Sequence, residues 1–363
     1  MNRLILIGNG FDLAHGLKTR YTDFIDYFWE KQKQEYILKS RKHNLSKDYF
    51  FENENLSIKA SKAINDFLKA PNDKSAYFQN WFKALKRYFV KSNEHLYDRF
   101  GIFCKNNFLY HISDKINLIN WVDVEEEYYQ ELIRNMEDIS YVKRLNKEFD
   151  FIKNAFEQYL IELCSNLENN FKYNNRIHKY MYSNPPYNIY SQDSTSKGAK
   201  EMMLLNFNYT PTLKSYHFIP SDVKINYIHG ELQNQSNPII FGYGDDNSEN
   251  YKKLEDKRNN DYLENFKSFK YGKNNNYKNM LSFISVNDYE ILIMGLSCGM
   301  SDHTLLKTLF MHPRCKLIRI FFHQIDDDTD NFFDTYINIS RHFSDKEKFR
   351  EIVASREDSL PLS

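Results

Sequence analysis

The apolar residues of this chain follow two patterns that occupy different parts of the sequence. Continuous apolar runs, several of them rich in Ile and ending in Gly, Asn or His, occur at residues 4–7, 202–207, 224–230, 237–244, 289–295 and 316–322. Short runs without polar alternation are typical of strands that are buried on both faces, as in a parallel sheet. A helical pattern at 301–312 separates the last two runs. This alternation of strand and helix predicts a mostly parallel, Rossmann-like α/β sheet.

Between the first run and the later ones the pattern has a helical period. Apolar residues in 140–164 recur every three or four positions, which predicts one amphipathic helix there, and 76–90 predicts another. The polar stretch 173–200 is interpreted as a loop that leads back to the sheet, and the Lys- and Asn-rich stretch 245–288 as a mobile surface lid or loop. The predicted domains are a Rossmann-like nucleotide-binding core (1–21 and 201–345), a helical insertion (22–200), and a C-terminal helix or tail (346–363).

Composition narrows the class of protein. Hydrophobic residues make up 41% of the 363 residues, which is enough for a large core. Lys+Arg and Asp+Glu both number 49, and this balance argues against a dedicated nucleic-acid binder. The cysteines are scattered, so neither a disulfide framework nor a metal site is expected. The first apolar run is too short for a secretory signal, and no window could span a membrane, so we expect a cytoplasmic protein.

Glycine and polar residues follow the predicted strands. Ligands of open parallel sheets bind at the carboxyl ends of the strands, where Gly8, Asn9 and Gly10 follow the first run. Glycines there let the backbone approach a phosphate, although Leu13 stands where a Rossmann fingerprint has its third glycine, so a tight turn is the alternative. Asp12 is interpreted either as a ligand of a ribose hydroxyl or as a helix cap.

The later runs end in similar residues. We call the residues at and just after the end of each predicted strand its tip. The tips contain Asn206, Asn208 and Tyr209 in the second run, His229 and Gly230 in the third, Gly242 and Gly244 in the fourth, and Gly295, Ser297 and Asp302 in the fifth. A histidine at a strand tip is a candidate general base, with a structural histidine as the alternative.

These motifs resemble those of the bacteriophage abortive infection AbiH family. The opening LILIGNGFDLAHGLKTRYTDF is the most specific block, and WVDVE (121–125), NFNYT, IHG and MGLSCGMSDH follow it in the family's order, as far as about residue 310. More distantly, the blocks resemble SIR2-type NAD-consuming domains, which have a Gly-rich opening loop, an asparagine tip, a histidine-glycine tip and a G-x-S tip.

The resemblance implies roles for particular residues. Asn208 falls on the asparagine and His229 on the catalytic histidine of the SIR2-type pattern. Gly8 and Gly10 fall on the opening loop, and Gly295 and Ser297 fall on the last tip. The predicted NAD-binding residues also include Asn9, Phe11, Asp12, Tyr209 and Gly242, and either Asp123 or Glu125 is placed at the rim of the pocket. For the two carboxylates the alternative is a helix start, with Asp123 as the N-cap and Glu126 as its capping-box partner.

The sequence also departs from the SIR2-type pattern. Thr210 stands where an aspartate is usual, and both the proline-containing substrate loop and the four zinc cysteines of sirtuins are missing. A protein deacetylase is therefore not expected. The resemblance instead implies an antiviral abortive-infection protein that binds and hydrolyses NAD as its substrate, without a metal.

Two other functions stay open from the sequence. One is a nucleotide sensor without turnover, and the other is a toxin that cleaves nucleic acid. The implied partners are a nucleotide ligand, a phage-derived trigger or partner protein, and further copies of the chain in a homo-oligomer, with no membrane association.

Overall fold

The computed structural model of the chain describes residues 1–42, 50–52, 56–59, 102–104, 106–114, 121–165, 167, 171–182, 199–216, 219–220 and 222–362. The helix predicted at 76–90 lies outside the described residues, as does most of the loop predicted at 173–200. Within that stretch the structure shows the helix Asn175–Tyr182, so the loop interpretation is wrong there.

A six-stranded parallel sheet is the centre of the fold. Its strands are β1 (Asn2–Ile7), β5 (Met202–Asn206), β6 (Lys224–Tyr227), β7 (Tyr289–Met294), β8 (Cys315–Phe322) and β9 (Leu360–Pro361). They are arranged in the order β6-β5-β1-β7-β8-β9. The segment predicted as a C-terminal helix or tail thus supplies an edge strand. A separate antiparallel sheet contains β2 (Phe50–Glu52), β3 (Leu56–Lys59) and β4 (Ile102–Cys104).

Strand β1 lies inside the parallel sheet because its side chains are apolar on both faces. Ile5 pairs with Leu204 of β5 on one side and with Leu292 of β7 on the other. Leu4 and Leu6 belong to one hydrophobic cluster, whereas Ile5 and Ile7 belong to another. The predicted α/β class and the predicted neighbours of β1 are confirmed.

The order of the parallel strands locates a preferred ligand region. Numbered along the chain within this sheet alone, the strands lie in the order 3-2-1-4-5-6, which is the order of doubly wound dinucleotide-binding folds. The chain adds strands on one side of β1 and then continues on the other side with β7. Such folds bind ligands beyond the carboxyl ends of the strands, near this switch point.

Helices precede, follow and connect these strands. Ile139–Cys164 confirms the amphipathic helix predicted at 140–164, and its N-cap Asp138 accepts hydrogen bonds from the backbone N–H groups of Ser140 and Tyr141. The other α-helices among the described residues are Asn9–Ala14, Tyr21–Lys42, Asn107–Asp114, Trp121–Arg134, Asn175–Tyr182, Glu249–Asp256, Lys267–Lys270, Asn276–Val286, His303–Phe310, Phe332–Arg341 and Lys346–Ile352.

Two further sequence interpretations are wrong. The run at 237–244 is not a strand, because its backbone bonds to loops: Ile240 N donates to His229 O, and Tyr243 N donates to Asn265 O. The stretch 245–288 is not a surface lid, because it contains three of the helices named above and contributes buried side chains such as Phe266 and Met280. In addition, the region predicted as helical contains the sheet β2–β4.

The described chain divides into two compact units. One contains Met1–Arg20, Glu125–Val142 and Leu160–Ser363, and therefore the parallel sheet. The other contains Tyr21–Val124 and Lys143–Tyr159. In this second unit Trp121 stacks on Phe156 and packs against Phe24. Among the described residues, no helix combines the length and the apolar character that crossing a membrane requires.

Candidate functional site

The tips of β1 and β7 are in direct backbone contact. Gly10 N donates to Gly295 O at 2.7 Å, and Gly8 N donates to Met294 O at 3.1 Å. Gly295 has φ +73°, and a Cβ there would lie 2.2 Å from the backbone N of Phe11. A Cβ at Gly10 would lie 2.7 Å from the Cα of Gly295. The Gly-Asn-Gly sequence is therefore required for the close packing of two neighbouring strand tips, whether or not a phosphate also binds there.

Asn208, which follows β5, connects the end of that strand to Gly8, just after β1. Its Nδ2 donates to Gly8 O at 2.9 Å, and its backbone N donates to the side chain of Asn206. The amide oxygen of Asn208 makes no hydrogen bond within the described part of the chain. It is thus available as an acceptor.

Asp12 lies in a buried polar cluster beside this tip. Thr210 Oγ1 donates to Asp12 Oδ2 at 2.6 Å, whereas Oδ1 is buried and has no hydrogen-bond partner among the described residues. Burial raises the pKa of Asp12 to about 6, although the polar side chains of Thr210, Thr212 and Asn208 act in the opposite direction. The helix that follows β1 has Gly8 as its N-cap, so the interpretation of Asp12 as a helix cap is wrong.

His229 follows β6 and is 4% exposed. Its Nε2 lies 3.2 Å from Asp302 Oδ1 and 3.2 Å from the hydroxyl of Tyr271. Its ring packs in a T-shaped arrangement with the ring of Phe207, which precedes Asn208. The tips of β5, β6 and β7 therefore meet at His229.

Lys267 extends this contact into a chain of buried ionisable groups. Its Nζ lies 2.9 Å from both Asp302 Oδ1 and Glu125 Oε2, and Glu125 Oε1 accepts a hydrogen bond from Gly242 N. Burial alone would raise the pKa of Asp302, but Lys267 and His229 outweigh it and hold that pKa well below its usual value. At Glu125 burial has the larger effect and raises the pKa, although the ammonium of Lys267 acts in the opposite direction.

The other predicted ligand-binding residues lie in several environments. Tyr209 donates its hydroxyl hydrogen to Ile240 O, and the carbonyl of Ser297 accepts from Asn338 Nδ2. Phe11 is fully buried in the core. Asn9 is the first residue of the helix after β1 and is half-buried.

Asp123 and Glu125, the two carboxylates considered for the pocket rim, lie in different surroundings. Asp123 belongs to the second compact unit, whereas Glu125 belongs to the unit with the sheet and is buried against Lys267. The helix begins at Trp121, which places Asp123 within its first turn, so the N-cap assignment is wrong as well.

Sequence reasoning missed Lys267 and Tyr271. Lys267 stands in a Lys- and Asn-rich stretch that is typical of a solvated surface, and only its neighbour Phe266 hints at burial. Asp302 did carry a signal, because it follows a strand within the block MGLSCGMSDH.

Comparison with known proteins identifies the family of this chain. No curated protein matches it significantly. The family model described as "Bacteriophage abortive infection AbiH" matches residues 4–324, which include all the strand tips described above. The resemblance of the sequence motifs is thereby confirmed. The chain therefore belongs to the bacteriophage abortive infection AbiH family, and this membership supports a role in phage abortive infection.

Proposed function

We propose that the chain binds NAD at the carboxyl edge of its parallel sheet and hydrolyses the bond between nicotinamide and ribose. The observation that carries this proposal is the strand order 3-2-1-4-5-6 together with a hydrogen-bonded histidine–aspartate pair, His229 and Asp302, just beyond the strand ends. Dinucleotides bind to sheets of this order at that edge.

The free oxygen of Asp12 supports a ligand with hydroxyl groups. A buried acceptor without a donor costs about 1–3 kcal/mol, and a ribose hydroxyl would remove that cost by donating to Oδ1. Asp12 lies next to Asn208, whose amide oxygen is also available. The residues present at this edge are thus chemically suited to a ribose.

The proposed reaction requires a proton acceptor and an oriented nucleophile. Loss of nicotinamide leaves positive charge on the sugar, which an incoming water attacks as it loses a proton. His229 takes that proton, which contributes roughly 10²–10⁴ in rate, and Asn208 orients the water or a ribose hydroxyl without adding charge. NAD contacts of Gly8, Asn9, Gly10, Tyr209, Gly242, Gly295 and Ser297 stay predictions within this proposal.

A second candidate function is nucleotide sensing without turnover. The burial of His229 favours it, because a general base must reach the reacting water. In this case the same edge binds NAD, and the ligand is released unchanged.

Incubation of the purified protein with NAD separates the candidates. We expect the wild type to release nicotinamide, measured by chromatography, and His229→Gln to release it at least about 10²-fold more slowly. Glutamine is preferred to alanine because its amide can still donate to Asp302, so the buried carboxylate keeps a partner. His312→Gln removes a half-buried histidine elsewhere and should leave turnover unchanged.

Three other outcomes of this experiment would argue against NAD hydrolysis. Binding of intact NAD, measured by calorimetry, with no nicotinamide released would favour the sensor. Cleavage of added RNA or DNA would favour a nuclease. A folded protein that neither binds nor cleaves NAD would reject the proposal.

A further inference from the structure

The two ring nitrogens of His229 have different surroundings. Nε2 lies within 3.2 Å of both Asp302 Oδ1 and the Tyr271 hydroxyl. Nδ1 makes no hydrogen bond within the described part of the chain. In a neutral imidazole one nitrogen carries the hydrogen and the other is the acceptor, and the neighbours determine which is which.

Asp302 can only accept a hydrogen bond if it is ionised, and its surroundings keep it so. The ammonium of Lys267 lies 2.9 Å from Oδ1, the oxygen that also faces His229. Both side chains are buried, and a buried carboxylate this close to an ammonium stays deprotonated. The hydrogen of neutral His229 is therefore placed on Nε2, which leaves the lone pair on Nδ1.

The charges around Lys267 also suit a histidine that accepts a proton. Lys267 is shared between two buried carboxylates, Asp302 and Glu125, each 2.9 Å from Nζ. One ammonium cannot neutralise both. The imidazolium that forms when His229 accepts a proton supplies the second positive charge next to Asp302.

We propose that Asp302 is a positioning residue that fixes the Nε2–H tautomer of His229, and that Nδ1 is the atom that accepts the proton. Lys267 holds Asp302 in its carboxylate form, and Glu125 balances Lys267. The role of Nδ1 as the base rests on the proposed NAD hydrolysis, whereas the tautomer is a property of the protein itself.

The tautomer can be measured without any substrate. In protein labelled with ¹⁵N-histidine, long-range ¹H–¹⁵N correlation spectra distinguish a protonated ring nitrogen from an unprotonated one, and loss of a signal in His229→Gln assigns it. We expect Nε2–H in the wild type and a mixture of tautomers in Asp302→Asn. We also expect nicotinamide release by Asp302→Asn to fall by about 10²-fold or more.

The choice of variants keeps the test interpretable. Asp302→Asn leaves Lys267 paired one-to-one with Glu125, so the buried charges stay balanced and the variant should fold. Ser301→Ala changes the adjacent buried side chain, and Tyr271→Phe removes the other contact of Nε2. Both should retain the wild-type tautomer.

The result that overturns the proposal is Nδ1–H in the wild type, an unchanged tautomer in Asp302→Asn, or a change in Tyr271→Phe alone. If instead the tautomer behaves as expected but no nicotinamide is released, the positioning by Asp302 stands and the proposed NAD hydrolysis fails.

Discussion

At the scale of single residues, Asp12 is a carboxyl group whose folded environment opposes its charge. It is 1% exposed, one oxygen accepts a hydrogen bond from Thr210, and the other has no donor in the part of the chain that the structure describes. Because its folded-state pKa is raised from 3.8 to about 6, the folded protein binds a proton more tightly than the unfolded chain does. This group therefore lowers stability as pH rises through that interval.

Asp12→Asn should remove this pH dependence. We expect the stability of the variant relative to the wild type to increase by about 1.4 kcal/mol per pH unit between pH 4 and pH 6, and then to level off. Urea unfolding at a series of pH values measures the difference. Asp334→Asn, at an exposed site, is the control for the loss of a carboxylate. A constant difference between Asp12→Asn and the wild type would contradict the buried charge.

At the scale of elements, the contact between the tips of β1 and β7 depends on Gly295. A side chain there would need a positive φ and would collide with Phe11 N at 2.2 Å. We expect Gly295→Ala to destabilise the protein by about 3 kcal/mol or more, measured by urea unfolding. Gly272 has no atom within 4 Å of its added Cβ, so Gly272→Ala should change stability by less than about 1 kcal/mol. Equal effects of the two variants would mean that the contact is not rigid.

The helix Phe332–Arg341 and the residue that follows it hold the loop after β7. Asn338 donates to Ser297 O, and His342 Nε2 lies 2.9 Å from Cys298 O. His342 Nδ1 also lies 2.9 Å from His303 Nδ1, so one of the two rings must be the acceptor there. Neutral His342 meets both conditions by donating from Nε2 and accepting at Nδ1.

This arrangement predicts sensitivity to acid. Burial lowers the pKa of His342 from 6.5 to about 4, and His303 and Arg341 act in the same direction, against the Cys298 carbonyl and Asp302. The unfolded chain therefore binds more protons between these values, and stability falls as pH drops from 6.5 toward 4, by up to about 1.4 kcal/mol per pH unit. We expect His342→Gln to show a shallower slope in urea unfolding across this interval. Parallel slopes would rule out His342 as the source.

The elements differ in how well the sequence predicted them. The strands of the parallel sheet at 202–207, 289–295 and 316–322 were predicted to within about two residues, because burial on both faces leaves an uninterrupted apolar run. The same signal failed at 237–244, where an equally apolar segment is buried as a loop. An apolar run indicates that a segment is buried. It does not indicate whether the backbone of that segment pairs with a neighbouring strand.

For the candidate site, the sequence identified residues that follow strands. It did not identify the residue that contacts them from the segment 245–288. Asn208 and His229 were found from their strands, and Asp302 from a family-like block. Lys267 could not be found, because a buried lysine between two carboxylates has the same local sequence as an exposed one.

At the scale of the whole molecule, family membership and strand order agree. The match to the AbiH family spans β1 to β8, and the parallel sheet has the order of dinucleotide-binding folds. The assignment to the family was predictable because its sequence blocks, most of which follow strands, occur in a fixed order. The division into two compact units was not predictable from the sequence, because both units contain residues of the segment 22–200.

The central position of β1 has a consequence for synthesis of the chain. β1 is synthesised before the other strands of its sheet, yet its two neighbours are β5 (Met202–Asn206) and β7 (Tyr289–Met294). At typical translation rates of about 5–20 residues per second, roughly 15–60 s pass before β7 has been made. Throughout that time the contacts of Gly10 with Gly295 and of His229 with Asp302 cannot exist. Unfinished chains therefore lack this edge of the sheet and any activity it carries.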